Sequence, residues 1–585
     1  MSSEAYEYTP LSGNKIRLIH LSPPSWDSST PGLVELSLSH RDLDEKPEYN
    51  ALSYAWGDPK VTEPILLDGV LVHVTTNLAA ALQHPALWHS QQYLWVDAIC
   101  INQRDIKERG SQVSKMTEIY RNAEQVLVWL GICSPTLQFA VTKLRGLPRI
   151  LEPAKEELEK AAGASGRGFR WDDVVRHCKD EVCEYMEPDS SEGKDLWTGL
   201  NELYDLLWWE RSWILQEVEC AKEVRFICGT LMVDLDWMKC RESCISRVAQ
   251  DKKVAGSGGA AYFRQRSVLK VLYVKDTCQL DDTFLNLLDW GRTSIATDPR
   301  DKIFAFLGLA SDISPGDLTP SYFFSTEKVY TDVVLWHIAK YNSLDIFGHC
   351  FPYPVVDNLP SWVPDWSLRW YRPNPEHQYR QNYGPLRNAY NASKESMVLK
   401  PNERIEDIVT GDRYLKLSGI NIGTIVLSTD RADDDLYLGI QKTWIPENKA
   451  EIYSWTGETN DKAFRHTIVG DRCPDQNLQR GFACDIDWDV KVTPRKTVSA
   501  RVQTFTARRL FAVTDNGMMG IAPGATLTDD SVFVLLGGSV LYVLRYTGAG
   551  RYKLIGEAYF HGMMDGEALD RCEQGEFQLQ DIILE

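Results

Sequence analysis

Polar and aromatic side chains end two runs of the sequence that read as strands. Ser53, Tyr54 and Trp56 close the run YNALSYAWGDP, and Asp97 and Asp105 belong to the run that starts at QQYLWVDAICIN. An indole can stack on a flat ring, although core packing is the favoured use of Trp56. Asp97 could hold a ribose, but the favoured interpretation is that it accepts backbone N–H bonds and structures its loop.

The next residues along the chain include Arg109, for which two interpretations are equally favoured. Arg109 could bind a phosphate with two parallel hydrogen bonds, or form a salt bridge to a nearby acid. Asn102 and Gln103 are expected to bridge loops by hydrogen bonding. Cys100 is predicted to lie in an apolar strand, where a buried thiol is inert.

A carboxylate suited to glycosidic chemistry stands further along the chain at Glu217, four residues after Trp213. Cleavage of a glycosidic bond passes through an oxocarbenium-like transition state, and one well-placed carboxylate can stabilise its positive charge without a metal. The competing interpretation is a helix-surface acid paired with Arg211 or Lys222.

The sequence predicts strands and helices that alternate, an order that can bring these residues to one edge of a sheet. The run ILLDGVLVHVT predicts a hairpin that turns at Asp68-Gly69, and QVLVWLG predicts a strand buried on both faces. Helical spacing between these runs predicts a doubly wound α/β domain. In such a sheet ligands bind beyond the carboxyl ends of the strands, which places the loops after Tyr54 and Asp97 at the candidate site.

The predicted fold class is α/β, with a parallel sheet flanked by helices, then a helical region, then a β-rich domain. Residues 1–45 are predicted as an N-terminal β extension and 46–230 as the α/β domain, with an insertion near 150–195. Residues 231–395 are predicted to be mainly helical. Short runs separated by Gly, Asp and Asn predict a small antiparallel sheet or barrel in 396–585.

Composition excludes several classes of protein. The net charge of −19 opposes phosphate backbones, so nucleic acid is not an expected partner. No signal peptide and no apolar run of about 20 residues is visible, which predicts a cytoplasmic protein without a membrane span. The sequence GxxxxGK[ST] does not occur, so no nucleotide-switch module is expected.

Metal ligands and disulfides are not expected. The 13 cysteines include no CxxC pair. Cys178/Cys183 and Cys240/Cys244 could form a zinc site, but free thiols in a reducing compartment are the favoured interpretation. His561 and Asp565 resemble a metal pair and are expected to form a turn instead.

Several segments resemble the heterokaryon-incompatibility (HET) domain family of filamentous fungi. YNALSYAWGDP is similar to its opening motif, LWVDAICINQRDIKERGSQVSKMTEIYRNAEQVLVWLG to its central motif and RSWILQEV to its third. DPRDKIFAFLGLA, LPSWVPDWS and YFHGMMDGEAL resemble parts of longer members, so the resemblance covers most of the chain.

The resemblance implies non-self recognition, in which death of a fused fungal compartment is triggered. HET domains are distantly similar to TIR (flavodoxin-like) domains, some of which cleave NAD with a glutamate in the pattern Trp-x-x-x-Glu, which Trp213 and Glu217 match. The implied catalytic residue is Glu217, and the implied NAD-binding residues are Ser53, Tyr54, Trp56, Asp97, Asp105, Arg109 and Trp213. NAD would be a substrate, with no bound cofactor. The alternative is a non-enzymatic adaptor, and the expected partner is a second copy or another incompatibility protein.

Overall fold

The structure is a computed structural model, and it forms two compact units, made mainly of residues 1–324 and of residues 325–585. It describes residues 6–22, 33–88, 93–163, 171–250, 271–272, 283–351, 353–368, 390–411, 413–428, 448–472, 502, 505–506 and 509–585. The two units are described separately below.

The first unit is built on a nine-stranded mixed sheet in the order β5-β4-β2-β1-β6-β3-β7-β8-β9. Its strands are β1 (Lys15–Ser22), β2 (Glu35–Asp42), β3 (Tyr49–Tyr54), β4 (Thr62–Leu67), β5 (Val70–Thr75), β6 (Tyr93–Trp95), β7 (Val126–Trp129), β8 (Val224–Cys228) and β9 (Leu231–Asp234). The central strands β6, β3, β7 and β8 run parallel to one another, whereas β1 beside β6 and β9 beside β8 are antiparallel to them. Every residue of β3 and β7 is buried, as expected for strands covered on both faces. The α/β class is confirmed.

Helices surround this sheet and fill the long connection before β8. They are α1 (Thr76–Leu82), α2 (Pro85–Trp88), α3 (Asp97–Cys100), α4 (Ile106–Val113), α5 (Met116–Asn122), α6 (Pro135–Leu144), α7 (Pro148–Gly163), α8 (Trp171–His177), α9 (Lys179–Tyr185), α10 (Ser191–Tyr204), α11 (Ile214–Glu219), α12 (Leu235–Gln250), α13 (Phe284–Gly291) and α14 (Asp301–Leu307). Helices α7, α8 and α9 fall in the stretch predicted as an insertion.

Two local expectations have opposite outcomes. The hairpin is confirmed, because β4 and β5 pair around Asp68 and Gly69, both at positive φ. The prediction that Cys100 lies in a strand is wrong, because β6 ends at Trp95 and the thiol sits in the short helix α3. Burial raises the pKa of Cys100 to about 12, so the thiol is inert, as expected.

The expectation that the cysteines are free thiols is wrong for one pair. Cys133, in the loop after β7, is bonded to Cys228 at the end of β8. The two strands are parallel neighbours, so the pair joins the loops that leave the same edge of the sheet. No local pattern predicts this disulfide, because 95 residues separate the two cysteines.

Gly199 sets the distance between α6 and α10. A Cβ at this position would lie 2.5 Å from the carbonyl oxygen of Thr136 and 2.6 Å from Cβ of Ala140. We expect Gly199→Val to destabilise the protein by roughly 1–3 kcal/mol, because the helices must separate. Urea unfolding measures this, with Asp195→Val on the exposed face of α10 as the matched control; equal stability of both variants would contradict it.

The second unit contains a closed β-barrel. Its strands are β10 (Val409–Thr410), β11 (Tyr414–Ser428), β12 (Arg509–Thr514), β13 (Met519–Pro523), β14 (Ser531–Leu535), β15 (Leu541–Gly548), β16 (Arg551–Phe560) and β17 (Leu579–Leu584). Strand β11 pairs with both β12 and β14, so six strands close in the order β11-β12-β13-β16-β15-β14. The unit also holds helices α15 (Thr326–Tyr341), α16 (Ile405–Ile408), α17 (Asn460–Val469) and α18 (Glu567–Glu573). The prediction of a β-rich C-terminal region is confirmed.

Among the described residues, no helix combines the length and apolar character that a membrane crossing requires.

Candidate functional site

The carboxyl edge of the central strands gathers several predicted site residues. Ser53 and Tyr54 end β3, and Asp97 begins α3 directly after β6. Glu217 reaches the same place from α11, because its carboxylate accepts a hydrogen bond from the Ser53 hydroxyl. The edge of the sheet where ligands are expected is therefore lined by residues from three separate parts of the chain.

Glu217 is held at both carboxylate oxygens. Its Oε2 accepts from Ser53, and its Oε1 lies 3.4 Å from Nη2 of Arg211. Trp208 donates its indole N–H to Oγ of Ser53 at 2.8 Å. A serine hydroxyl carries one proton, so this donation leaves that proton for Glu217. Only 1% of the Glu217 side chain is exposed, so it is not a helix-surface acid.

Asp97 forms the outer part of the same cluster. Its Oδ2 accepts from Nε1 of Trp56 at 2.9 Å, and its Oδ1 accepts from the Ala98 N–H at 2.7 Å. The Tyr54 hydroxyl also hydrogen-bonds to Asp97. Trp56 is 42% exposed, so the interpretation that it packs in the core is wrong. Its ring lies partly in solvent and is anchored through its N–H.

Arg211 supplies the positive charge between the two carboxylates. It follows the 3-10 turn Leu207–Glu210, and its main chain forms a bridge with Ile295. Its side chain is 19% exposed. Its Nη1 is buried and has no hydrogen-bond partner among the described residues. The guanidinium therefore keeps one donor available for a ligand oxygen or a water.

Burial dominates the titration of this cluster. Burial raises the pKa of Glu217, and the Arg211 charge and the Ser53 hydrogen bond offset part of the increase. Burial also raises the pKa of Asp97, against the opposing effects of Arg211 and Trp56. For Arg211, burial lowers the pKa, but the charges of Glu217 and Asp97 outweigh it and the net pKa is raised. The guanidinium thus keeps its charge while both acids resist ionisation.

Two other predicted residues, Asp105 and Arg109, have partners elsewhere in the first unit. Asp105 caps α4 by accepting from the N–H groups of Lys107 and Glu108. Arg109 pairs with Asp298 at 2.8 Å and stacks 3.4 Å from the ring centroid of Tyr322. Arg109 thus has the salt bridge that the sequence left as an alternative to a phosphate.

Trp213 hydrogen-bonds to Asp301 rather than to the Glu217 cluster. Burial raises the pKa of Asp301 to about 6, and the hydrogen bonds from Tyr322 and Trp213 oppose part of that increase. Trp213 precedes α11, so it helps to fix the helix that carries Glu217.

The neighbouring polar residues Gln103 and Lys222 also have defined partners. Gln103 donates to the main-chain oxygen of Asp97 at 3.0 Å, which bridges the loop as expected. Lys222 pairs with Glu124 at 2.7 Å, so Arg211 is the partner of Glu217. The sequence predicted Arg211 only as an ion-pair partner of Glu217, and Trp208 was not predicted as a site residue. The segment WWERSW, in which aromatic residues flank a charged pair before α11, could have indicated both.

The arrangement can hold one buried negative charge next to a fixed positive charge. A carboxylate in such a setting can stabilise a developing cation when a neutral leaving group departs. The exposed ring of Trp56 and the free donor of Arg211 provide surfaces for a flat ring and for an oxygen-rich group.

Two regions of the chain match known families. Residues 49–217 match the family described as heterokaryon incompatibility protein (HET), and this match ends at Glu217. Residues 489–580 match the family described as Het-6 beta-barrel domain, which agrees with the closed barrel of the second unit.

One curated relative is similar along nearly the whole chain. It is the heterokaryon incompatibility protein 6, OR allele, of Neurospora crassa, 26% identical over an alignment of 690 residues that covers 96% of each chain. No solved structure matches. The chain is thus similar to heterokaryon incompatibility proteins in two regions and to one such protein along nearly its whole length.

Proposed function

We propose that this chain, which matches both the HET family and the Het-6 beta-barrel domain, acts in fungal heterokaryon incompatibility as a trigger of cell death. The matches to residues 49–217 and 489–580 and the similarity to the Neurospora crassa protein support this role. The effector step is assigned to the first unit, because the buried Glu217 cluster lies there.

The proposed reaction is cleavage of NAD to nicotinamide and ADP-ribose. The bond between C1′ of the ribose and the nicotinamide nitrogen breaks, and its electron pair neutralises the pyridinium nitrogen. The carboxylate of Glu217 stabilises the oxocarbenium-like ribose until water adds at C1′ and loses a proton. The observation that carries the proposal is the placement of a buried carboxylate, Glu217, beside Arg211 and Asp97 at the carboxyl edge of parallel strands.

The remaining residues have defined parts in this proposal. Asp97 and Ser53 position ribose hydroxyls, and Trp56 stacks on the nicotinamide or adenine ring. Nη1 of Arg211, the buried donor without a partner among the described residues, receives an oxygen of the substrate. The four parallel central strands are compatible with a TIR-like domain, which is part of the proposal.

One observation favours a second candidate, a non-enzymatic adaptor. Both oxygens of Glu217 are already engaged, and the side chain is 1% exposed. A substrate therefore reaches Glu217 only if Arg211 or Ser53 moves. The catalytic proposal accordingly requires a rearrangement, which self-association or a second incompatibility protein would supply, whereas an adaptor requires none.

NAD consumption by purified protein tests the two candidates. We expect wild-type protein to consume NAD at high protein concentration, and Glu217→Gln to lower the rate at least about 100-fold, since the charge that stabilises the transition state is gone. Nicotinamide and ADP-ribose are quantified by chromatography. Glu219→Gln, on the same helix, is the matched control and should keep the rate within a few-fold.

The opposite result assigns the adaptor function. If wild-type protein leaves NAD intact over the whole concentration range, and Glu217→Gln remains toxic when overproduced in a fungal host, cleavage of NAD is excluded as the effector step. Circular dichroism of each variant confirms that a lost rate does not come from a lost fold.

A further inference from the structure

Side chains from three parts of the second unit meet beside the barrel. Glu458 lies in a turn between Ile452 and Thr459, which form a bridge, and His466 lies on α17. His561 directly follows β16. These residues are up to 103 positions apart, so only the fold brings them together.

The distances between the ligand-type atoms are short. Oε1 of Glu458 is 2.6 Å from Nε2 of His561, and Oε2 of Glu458 is 3.4 Å from Nδ1 of His466. One ligand atom from each of the three residues lies within 4.8 Å of the others. Oδ1 of Asp471 is 3.8 Å from the same Nδ1 of His466, so a second carboxylate lies next to this group of three residues.

These distances fit the edges of a small coordination tetrahedron. Zinc binds histidine nitrogen and carboxylate oxygen at about 2.0–2.2 Å, so two ligands of a tetrahedral site are separated by about 3.3–3.6 Å. The pair made by His466 with Glu458 is near this value. The Glu458–His561 pair, at 2.6 Å, would open by about 0.7–1 Å to admit an ion, which is within the reach of a side-chain rotation.

We propose that Glu458, His466 and His561 form a site for a divalent transition metal of the zinc type. Two imidazole nitrogens and one carboxylate oxygen are donors that such ions prefer. The carboxylates of Glu458 and of the adjacent Asp471 also supply negative charge for a divalent cation, and Lys462 forms an ion pair with Glu458 at 3.9 Å.

A surrounding hydrogen bond orients the imidazole of His561 toward this point. The Tyr559 hydroxyl is 2.9 Å from Nδ1 of His561, so the other nitrogen of that ring faces Glu458. Such an outer hydrogen bond to the second nitrogen is typical of metal-bound histidines. Nε2 of His466 is buried without a hydrogen bond among the described residues, so the ring's polar contacts all run through Nδ1.

A simple ion pair explains less of this geometry. A direct hydrogen bond between Glu458 and His561 accounts for the 2.6 Å contact. It does not account for the approach of a second histidine to the same glutamate, because each desolvated polar group without a partner costs free energy. A shared cation satisfies all three groups at once.

The site is buried, which indicates a structural role. The side chains of His466 and His561 are 8% and 9% exposed, so protein groups surround the point where an ion would bind. The site joins the segment 448–472 to the barrel, where Tyr453 already accepts from the Met519 N–H and donates to the His561 carbonyl.

Metal binding by the full-length protein tests this proposal. Protein stripped with a chelator is titrated with Zn²⁺ against a chromophoric competitor, and we expect one Zn²⁺ per chain. Glu458→Gln and His561→Gln should weaken binding by about 100-fold or more. Lys462→Met is the matched control, since it removes a neighbour of Glu458 that is not a ligand, and it should retain the affinity within a few-fold.

Cobalt substitution keeps the test decisive if a variant fails to fold. Co²⁺ bound to wild-type protein should give the visible bands of tetrahedral nitrogen and oxygen coordination, without thiolate charge-transfer bands. Zn²⁺ should raise the melting temperature of wild type and leave that of Glu458→Gln unchanged. The proposal is overturned if folded wild-type protein binds no stoichiometric Zn²⁺, if the Gln variants bind as tightly as wild type, or if the cobalt spectrum reports thiolates.

Discussion

Arg211→Met should destabilise the first unit by roughly 3–5 kcal/mol at neutral pH. The substitution removes the cation that faces Glu217 and Asp97, and breaking a buried ion pair leaves uncompensated charge. Burial already raises the pKa of both acids, so their folded-state pKa lies above the unfolded value. Such groups stabilise the fold below the unfolded pKa and lose that contribution as pH rises through the folded pKa. The deficit of the variant should therefore shrink toward pH 4 and grow toward pH 7.

Urea unfolding at several pH values measures this deficit. Arg225→Met, on the neighbouring strand β8, is the matched control; its half-exposed pair with Glu223 should contribute at most about 1 kcal/mol. The double variant Arg211→Met with Glu217→Met should recover part of the lost stability, because a buried ion pair can be replaced by apolar groups of similar size. An Arg211→Met deficit that is small or independent of pH would show that the carboxylates are not charged against Arg211.

The central strands and the hairpin could be predicted because their signals are local. The apolar run at β7 has no polar interruption, and Asp68-Gly69 needs the left-handed conformations that the structure shows. The run VDAICIN was misassigned for an equally physical reason. A short apolar run does not distinguish a buried strand from a buried helical turn, and Cys100 lies in the latter.

The composition of the candidate site was only partly accessible from the sequence. The rule that ligands bind at the carboxyl ends of parallel strands placed Ser53 and Asp97 together. Whether Glu217 is neutralised by Arg211 or Lys222 depends on which side of α11 meets the sheet, and that is a tertiary property. Trp56 shows the same limit, because its type favours the core while its N–H is held by Asp97 at the surface.

The grouping of carboxylates and histidines beside the barrel was even less predictable from the sequence. Spacing along the chain offered His561 only Asp565, four residues away, in a pair that was expected to form a turn instead, whereas the fold pairs His561 with Glu458. Asp565 instead contacts Glu567 through its N–H. Ligand sets assembled from a turn, a helix and a strand end have no periodic signature, so proximity in sequence selects the wrong partner.

Glu242→Gln should stabilise the protein strongly at alkaline pH. Glu242 lies on α12, is buried and accepts from the Tyr204 hydroxyl at 2.8 Å. Burial raises its pKa from 4.5 to about 8, against the Tyr204 hydrogen bond. Because the folded pKa is the higher one, the stabilisation is complete below pH 4.5 and is lost as pH rises to about 8, a change on the order of 5 kcal/mol at 1.36 kcal/mol per pKa unit.

Glutamine has the shape of the protonated acid but cannot ionise, so the variant and wild type should have similar stability at pH 5. At pH 8.5 the variant should be more stable by about 3–5 kcal/mol, as measured by chemical unfolding across pH 5–9. Glu181→Gln, at an exposed position on α9, is the control and should follow the wild-type curve. Parallel curves for wild type and Glu242→Gln would mean that water or a cation reaches the carboxylate in the folded protein. Curves that coincide near pH 5 and separate as pH rises would show that a buried acid between α10 and α12, neutral at low pH, limits the stability of the first unit above neutral pH.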